Sequence, residues 1–437
     1  MTRNLIWLLG WVLTAGVVTS VGALPPGDNN KHLGVASCAS STCHGSVSAF
    51  RDSNVLQNEF ATWQSSDKHS RAYQVLLNDR SKRIARNMGL NNAHEASICL
   101  DCHADNVPVA SRGEKFDIAD GVGCESCHGG AEQYLSAHAS GQVSHADNLA
   151  AGLYPTENPQ RRAELCLTCH LGTKDQMITH RIMGAGHPRL SFELDTFTWL
   201  NPHFEVDDDY LQRKGDLNGA RDWAVGQGVA AITQLETLMD ERAGTDGIFP
   251  ELVLFDCHAC HRSMFGDRWV PRSGTGLGPG IVRYNDASLL MFKHVLTAAD
   301  AGQGQKLTQQ IKDLHIATTK GRAETVQAGR AVLTVLRSAV ERMQTAQFDA
   351  KMLEGVLSSV VADGERGQYR DYANAEQAAM AVDTMILAFE NEQVINADRA
   401  ESLRTKAQAL FDATKDEDNY QQGRFVKALR TLKDAAP

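Results

Sequence analysis

The stretch Val122-Gly-Cys-Glu-Ser-Cys-His-Gly-Gly130 decides how this chain folds. Cys124 and Cys127 are separated by two residues, and His128 follows the second cysteine directly. This spacing is that of a covalent haem attachment site, where two thiols bond the vinyl groups of one haem and the adjacent histidine ligates the iron. The stretch therefore predicts a c-type haem site.

The same spacing occurs three more times, and a wider version occurs once. The three repeats are Cys99-Leu-Asp-Cys102-His103, Cys166-Leu-Thr-Cys169-His170 and Cys257-His-Ala-Cys260-His261. The wider version is Cys38-Ala-Ser-Ser-Thr-Cys43-His44, for which a zinc site or a disulfide is the alternative. All ten cysteines belong to these five units. They predict five covalently attached haem c groups with iron ligands His44, His103, His128, His170 and His261.

The N-terminus has the features of a signal peptide over residues 1–23. Arg3 precedes an apolar run from Leu5 to about Val18, and small residues follow at 21–23. Residues 24–33 form a turn-rich linker. The segment predicts a periplasmic protein, with an extracellular location or an uncleaved N-terminal anchor as alternatives.

The chain is acidic, with a formal charge of −10 that becomes −11 once Arg3 is removed with the leader. Haem propionates add about two negative charges per haem. This charge argues against nucleic acid as a partner and favours redox partners that present a basic docking patch. A membrane quinol-linked partner and a homodimer formed through the C-terminal helices are further expectations.

Helical periodicity and turn residues predict a mainly α fold. Residues 34–286 are expected to form a pentahaem cytochrome c domain with little regular sheet. Asn158-Pro159 is typical of a helix start before the fourth unit, and residues 220–241 have one apolar helical face. Residues 287–437 contain no cysteine and repeat apolar residues at helical spacing, as at Val332, Leu336 and Val340. They predict a helical bundle of four to six members.

The second axial ligand of each iron must come from the remaining histidines. Sixteen histidines less the five in the attachment units leave eleven candidates. They are His32, His69, His94, His138, His145, His180, His187, His203, His258, His294 and His315. His187 is favoured because the following proline fixes an extended backbone, and His294 because it lies among apolar residues. For any one of them the alternative is an exposed or capping histidine.

The order and wording of the central motifs resemble the cytochrome c-554 family over about residues 34–190. The resemblance includes the Cys124 unit, His138 ten residues after His128, and the segment from Trp63 to His69. It implies that His138 faces His44 through iron, that His69 faces His128, and that the haem of His103 is five-coordinate. Three features depart from the pattern, namely the wider first motif, the fifth unit and the helical tail. His94, five residues before Cys99, is a further difference that could close the second haem.

The resemblance implies electron transfer in the periplasm. Two alternatives stay open, because a haem with two histidine ligands can only pass electrons whereas an open iron can bind a small molecule. One is a reductase or oxidase of a small nitrogen or sulfur compound at one open haem. The other is a polymerising, conductive cytochrome.

Overall fold

The computed structural model of the protein describes residues 25–49, 56–204, 206–214, 217–246, 249–261 and 270–433. The expected signal peptide at 1–23 lies outside these residues. The described chain is mainly helical, which confirms the predicted fold class. A single short antiparallel ribbon joins β1 (Thr245–Asp246) to β2 (Phe249–Pro250) within the described ranges.

The first half of the chain consists of short helices joined by turns. They are α1 (Glu59–Ser66), α2 (Ala72–Val75), α3 (Asp79–Met88), α4 (Ser97–His103), α5 (Cys124–His128), α6 (Leu135–Ser140), α7 (His145–Ala150), α8 (Pro159–His170), α9 (His180–Gly184), α10 (Leu194–Leu200) and α11 (Asp208–Lys214). Short 3-10 turns lie at Val35–Ser37, Lys68–Arg71, Ala93–Glu95, Val109–Ser111, Ile118–Asp120, Leu252–Leu254, Cys257–Ala259 and Ser273–Thr275. The predicted start of α8 is confirmed, because the Asn158 side chain accepts a hydrogen bond from the Arg161 amide at 3.0 Å.

The second half is built from long helices. They are α12 (Gly219–Met239), α13 (Ala287–Ala299), α14 (Ala301–Thr318), α15 (Arg322–Met343), α16 (Ala350–Glu365), α17 (Tyr372–Asn391), α18 (Ala397–Ala413) and α19 (Gln422–Lys433). Residues 287–433 thus hold seven helices where four to six were expected. Part of the difference arises at Asp300, whose extended backbone ends α13 and whose carboxylate caps α14 through the Gln303 amide at 3.1 Å.

Among the described residues, the buried apolar side chains form two clusters of very different size. The large cluster runs from Ala163 on α8 to Leu432 on α19, and it includes α12 together with α13–α19. The small cluster contains five buried residues, Leu76, Ala85, Ala93, Leu100 and Ala104. The segment that holds the first units therefore has a small apolar core of its own, as expected where the chain packs around large flat apolar groups. The domain boundary at residue 286 stays a prediction, and α12 shares its core with the helices beyond it.

Candidate haem-iron sites

Local helical structure places the attachment residues of each regular unit on one face. The second unit lies on α4, the third forms α5, and the fourth ends α8. Residues at positions i, i+3 and i+4 of a helix share a face, so both cysteines and the histidine point the same way. In the fifth unit the His261 amide donates to the Cys257 carbonyl at 2.8 Å. In the wider first unit the equivalent bond joins the His44 amide to the Cys38 carbonyl at 3.1 Å.

The cysteines lie as separate thiols and not as disulfides. All ten are within the described residues, and none is disulfide-bonded. Two contacts join different units, since Cys38 lies within hydrogen-bonding reach of Cys124, and Cys102 of Cys169. The first and third units are therefore neighbours, as are the second and fourth.

Each of the five motif histidines faces one other histidine. We number the pairs as sites 1 to 5 in the chain order of their motif histidines. Ring centroids are 6.0 Å apart in site 1 (His44/His138), 6.5 Å in site 2 (His103/His187), 6.3 Å in site 3 (His128/His203), 5.9 Å in site 4 (His170/His69) and 6.0 Å in site 5 (His261/His180). No histidine is used twice.

These separations fit one metal ion held between two imidazoles. A metal–nitrogen bond of about 2 Å on each side, plus about 1 Å from each nitrogen to its ring centre, gives centroids about 6 Å apart. The rings of site 1 are nearly parallel at 7°, and those of site 4 are perpendicular at 90°. Two imidazoles that would hold one metal ion between them could take any rotation about the line through the ion, so both angles are compatible with such a site. The residues present therefore fit five haem irons ligated from both sides.

Hydrogen bonds at Nδ1 orient several of these rings. His103 Nδ1 lies 3.1 Å from the Ala72 carbonyl oxygen, and His187 Nδ1 lies 2.8 Å from that of Pro188. A carbonyl oxygen only accepts, so Nδ1 carries the proton in both rings. The unprotonated nitrogen of each ring is then Nε2, as a metal ligand requires.

Carboxylates do the same for two other rings. His44 Nδ1 lies 3.0 Å from Glu59, and His69 Nδ1 lies 2.9 Å from Asp67. The hydrogen bond to Glu59 raises the pKa of His44 against the opposing effect of burial. A carboxylate partner also increases the electron density of the ligating imidazole.

Burial keeps other ligand candidates neutral. It lowers the pKa of His170 to about 4, with a further contribution from nearby His69. Burial likewise lowers the pKa of His103, of His138 and of His203. Neutral imidazole is the form that binds a metal ion.

The structure pairs some histidines differently from the resemblance. His138 faces His44 as implied, but His69 faces His170 and not His128. The partner of His128 is His203. His103, for which an open iron was implied, faces His187.

Two predicted ligands lie away from every motif histidine. The ring of His94 contacts Tyr73 and does not close site 2. His294 lies in the helical bundle, where Nδ1 is 2.8 Å from the Ser359 hydroxyl and Nε2 is 2.9 Å from the Tyr369 hydroxyl. Both of its nitrogens have partners, so His294 is a buried structural histidine.

Sequence reasoning did not single out His203 or His180 as ligands. Both were among the eleven candidates, but each lies far along the chain from the motif histidine that it faces. The one local signal for His180 is Thr179, whose hydroxyl caps α9 through the Ile182 amide at 3.3 Å. A capped helix start fixes the direction of the first side chain but does not show what that side chain binds.

A cleft with apolar and polar lining residues, open to solvent, lies beside the fifth unit, and it spans about 620 Å³ when the adjoining solvent is included. Its lining includes Leu171, Met177, Met183, Leu190, Val253, Leu254 and Cys257. Arg189 also reaches the cleft and pairs with Glu376 of α17 at 2.9 Å. Gln234, Thr237 and Asn285 also line the cleft, and Arg189 pairs with Glu417 as well at 3.1 Å, so the lining is mixed and its cation is neutralised.

A buried charge cluster holds the N-terminal segment against the third unit. His32 is 1% exposed, and its Nδ1 and Nε2 lie 2.7 Å from Asp105 and 3.0 Å from Asp28. Glu125, between the cysteines of the third unit, accepts hydrogen bonds from the amides of Leu33 and Gly34 at 2.7 and 2.6 Å. Glu125 therefore holds the backbone of Leu33 and Gly34 against the third unit.

Cysteine pairs that are each followed directly by a histidine are typical of c-type cytochromes. Residues 37–129 match the family model for cytochrome c554 and c-prime. The match confirms the resemblance for the segment that contains the first three units, and it supports covalent binding of haem c by this segment. No curated protein and no solved structure matches the chain. None of the helices in the described ranges combines the length and the apolar character needed to cross a bilayer.

Proposed function

We propose that this chain is an exported electron-transfer protein with five haem c groups, each ligated by two histidines. The observation that supports this most directly is the one-to-one pairing of five motif histidines with five others. Haem iron supplies the chemistry when bound, since it cycles between ferric and ferrous states. Two histidines that would hold each iron from both sides would leave no position for a substrate, which favours electron transfer over reduction of a small molecule.

Short links between the sites support a continuous electron path. Besides the thiol contacts, the Val122 amide at the edge of the third unit donates to the His69 carbonyl at 3.1 Å. Site 3 therefore adjoins site 4. His180 begins α9 and His187 lies three residues beyond the end of α9 at Gly184, so this short segment joins sites 5 and 2. Together these contacts give the order 1–3–4–2–5.

The two ends of this order are accessible at the surface. Val47, just beyond the first unit, is highly exposed, and Cys260 of the fifth unit is exposed. We propose that partners exchange electrons near these ends and that the protein acts in the periplasm. The leader-like residues and the family match support export. The acidic net charge supports a partner with a basic patch, and a quinol-linked membrane partner and dimerisation through the bundle remain predictions.

Mass and spectroscopy test the proposal together. After loosely bound haem is extracted, the intact mass of the exported protein should exceed that of the mature polypeptide by five haem masses. A Cys38→Ser/Cys43→Ser variant should lose one haem, which tests the wide first unit against the zinc alternative.

Paramagnetic resonance of the oxidised protein decides between carrier and reductase. We expect low-spin ferric signals that do not change when cyanide or nitric oxide is added. A high-spin signal that responds to these ligands, together with turnover of nitrite or hydroxylamine, would contradict the proposal.

A further inference from the structure

Helix α3 of this acidic protein has one buried face and one strongly basic face. Ser81 and Ala85 are buried, while the charged side chains on the other side are exposed. Arg181 of α9 is also exposed and extends the charge to the end of α3, where its guanidinium approaches the Met88 carbonyl at 3.5 Å. The basic face, as we call it, consists of Arg80, Lys82, Arg83, Arg86 and Arg181.

The basic face is not neutralised by nearby acids. Asp79 is fully exposed and lies 3.8 Å from Lys82, a separation at which a surface ion pair contributes little. Arg83 and Arg86 have no acidic partner among the described residues. Four of the ten residues of α3 are basic, whereas the whole chain has ten more acidic than basic residues. Helix α19 also has four basic residues, but Arg430 and Lys433 there lie 3.9 and 2.9 Å from Glu365, so part of its charge is neutralised.

α3 is fixed directly to the ligands of site 2. Arg80 Nε and Nη2 donate to the Gly186 carbonyl at 3.2 and 2.9 Å, and Asn87 donates to the Ala185 carbonyl at 2.9 Å. These two carbonyls immediately precede the ligand His187. On its inner face, Ala85 packs in the same cluster as Leu100, which lies between the cysteines of the second unit. A helix is about 10 Å thick, so a partner on the basic face would be about that distance from site 2.

We propose that the basic face is the docking surface of an acidic redox protein that exchanges electrons at site 2. The inference rests on the proposed electron-transfer function, and it adds a partner of opposite charge to the basic partner expected for the rest of the surface. Complementary charge fixes the orientation of an encounter and speeds association. The basic face would repel a basic partner, and the acidic remainder of the surface would repel an acidic partner. Each partner would therefore be directed to its own docking surface.

Screening explains how an acidic protein can attract an acidic partner. The Debye length is about 10 Å at 0.1 M salt, whereas α3 is about 15 Å long. A partner that approaches α3 therefore responds to the arginines below it more than to acids on distant surfaces. Site 2 lies next to site 5 in the proposed order, so electrons that enter there have a short path to the exposed end.

Stopped-flow reduction of the holoprotein by an acidic flavodoxin, reduced to its hydroquinone, tests the proposal. The variant is Arg83→Glu/Arg86→Glu. The matched control is Lys306→Glu/Lys351→Glu, which makes the same change in net charge on exposed positions of α14 and α16. At about 0.05 M ionic strength we expect the α3 variant to react about 10-fold more slowly and the control to stay within about 2-fold of the original protein. At about 0.5 M the difference should vanish.

A second measurement detects docking without electron transfer. Flavodoxin stripped of its flavin is cross-linked to the oxidised holoprotein with a carbodiimide, which joins lysine amines to carboxylates. We expect the linked peptide to contain Lys82 and the yield to fall in the α3 variant. A Lys82 cross-link in a protein that accepts no electrons from flavodoxin would support the docking surface while refuting the proposed function.

Four results would overturn the proposal. One is equal slowing of both variants, and another is an unchanged rate in the α3 variant with no cross-link at Lys82. The third is that the original protein binds vesicles of phosphatidylglycerol and phosphatidylcholine and the α3 variant does not, while both react with flavodoxin at the same rate. This result would assign the basic face to a membrane surface. The fourth is a changed reduction potential of site 2 in the α3 variant, measured without flavodoxin, together with an unchanged rate of reduction by flavodoxin. This result would assign the arginines to haem propionates.

Discussion

The buried imidazole of His32 should make the stability of this protein fall as the pH rises above neutrality. Burial alone disfavours its charged form, but hydrogen bonds to Asp105 and Asp28 and the charges of Asp105 and Glu125 outweigh burial and raise the pKa of His32 to about 9. The ordinary value is 6.5. One pKa unit corresponds to about 1.4 kcal/mol, so the raised pKa stabilises the fold by about 3 kcal/mol.

The sign of the effect follows from the direction of the pKa change. Folding favours the protonated imidazole, so the stabilisation is complete below pH 6.5, decreases as the pH rises from 6.5 towards 9, and is lost above 9. The variant His32→Gln keeps a hydrogen-bond donor but cannot titrate. We expect the difference in unfolding free energy between the original protein and this variant to shrink by about 3 kcal/mol between pH 6 and pH 10.

Guanidinium unfolding at several pH values, followed by far-ultraviolet circular dichroism, measures this difference. The control is Lys31→Gln, at the exposed neighbouring position, where Lys31 and Glu132 form a surface ion pair at 3.7 Å. Its stability should follow the pH dependence of the original protein. Parallel curves for the original protein and His32→Gln across this range would refute the assigned role of His32.

Three further predictions concern the ligands and the bundle. His203→Ala should produce a new high-spin ferric signal in paramagnetic resonance, because the iron of site 3 would lose one ligand. The control His94→Ala should leave the spectrum unchanged. A high-spin signal in the His94 variant alone would contradict the pairing of His128 with His203. Glu59→Gln should raise the reduction potential of site 1 in a spectroelectrochemical titration, because His44 loses its carboxylate partner. A shift in the potential of other sites only would contradict this role of Glu59. Asp363→Ala should lower the unfolding free energy by about 3–5 kcal/mol because it leaves the ammonium group of Lys293 buried without its partner. The double variant Lys293→Met/Asp363→Leu should regain most of that loss, and equal instability of both would show that the cause is packing and not charge.

The sequence by itself determined the attachment units, the helical class of the fold and the positions of α8 and α12. Cys124, Cys127 and His128 need only one helical turn to share a face, so their spacing already specifies the local geometry. The Asn158 cap is equally local and is confirmed. The helix predicted over residues 220–241 is confirmed as α12, but the single apolar face is not, because residues 222–231 of α12 are buried on all sides. The family resemblance is likewise carried by adjacent residues and is confirmed over residues 37–129.

Only the tertiary structure decided which histidine faces which. An imidazole can ligate iron, as the geometry of His203 suggests, or bond two hydroxyls in a packed core as His294 does, and the adjacent residues do not distinguish these outcomes. The partner in each pair comes from a distant segment whose position depends on how the whole chain packs. The same holds for the basic face, because the arginines of α3 are visible in the sequence but their placement beside His187 is not.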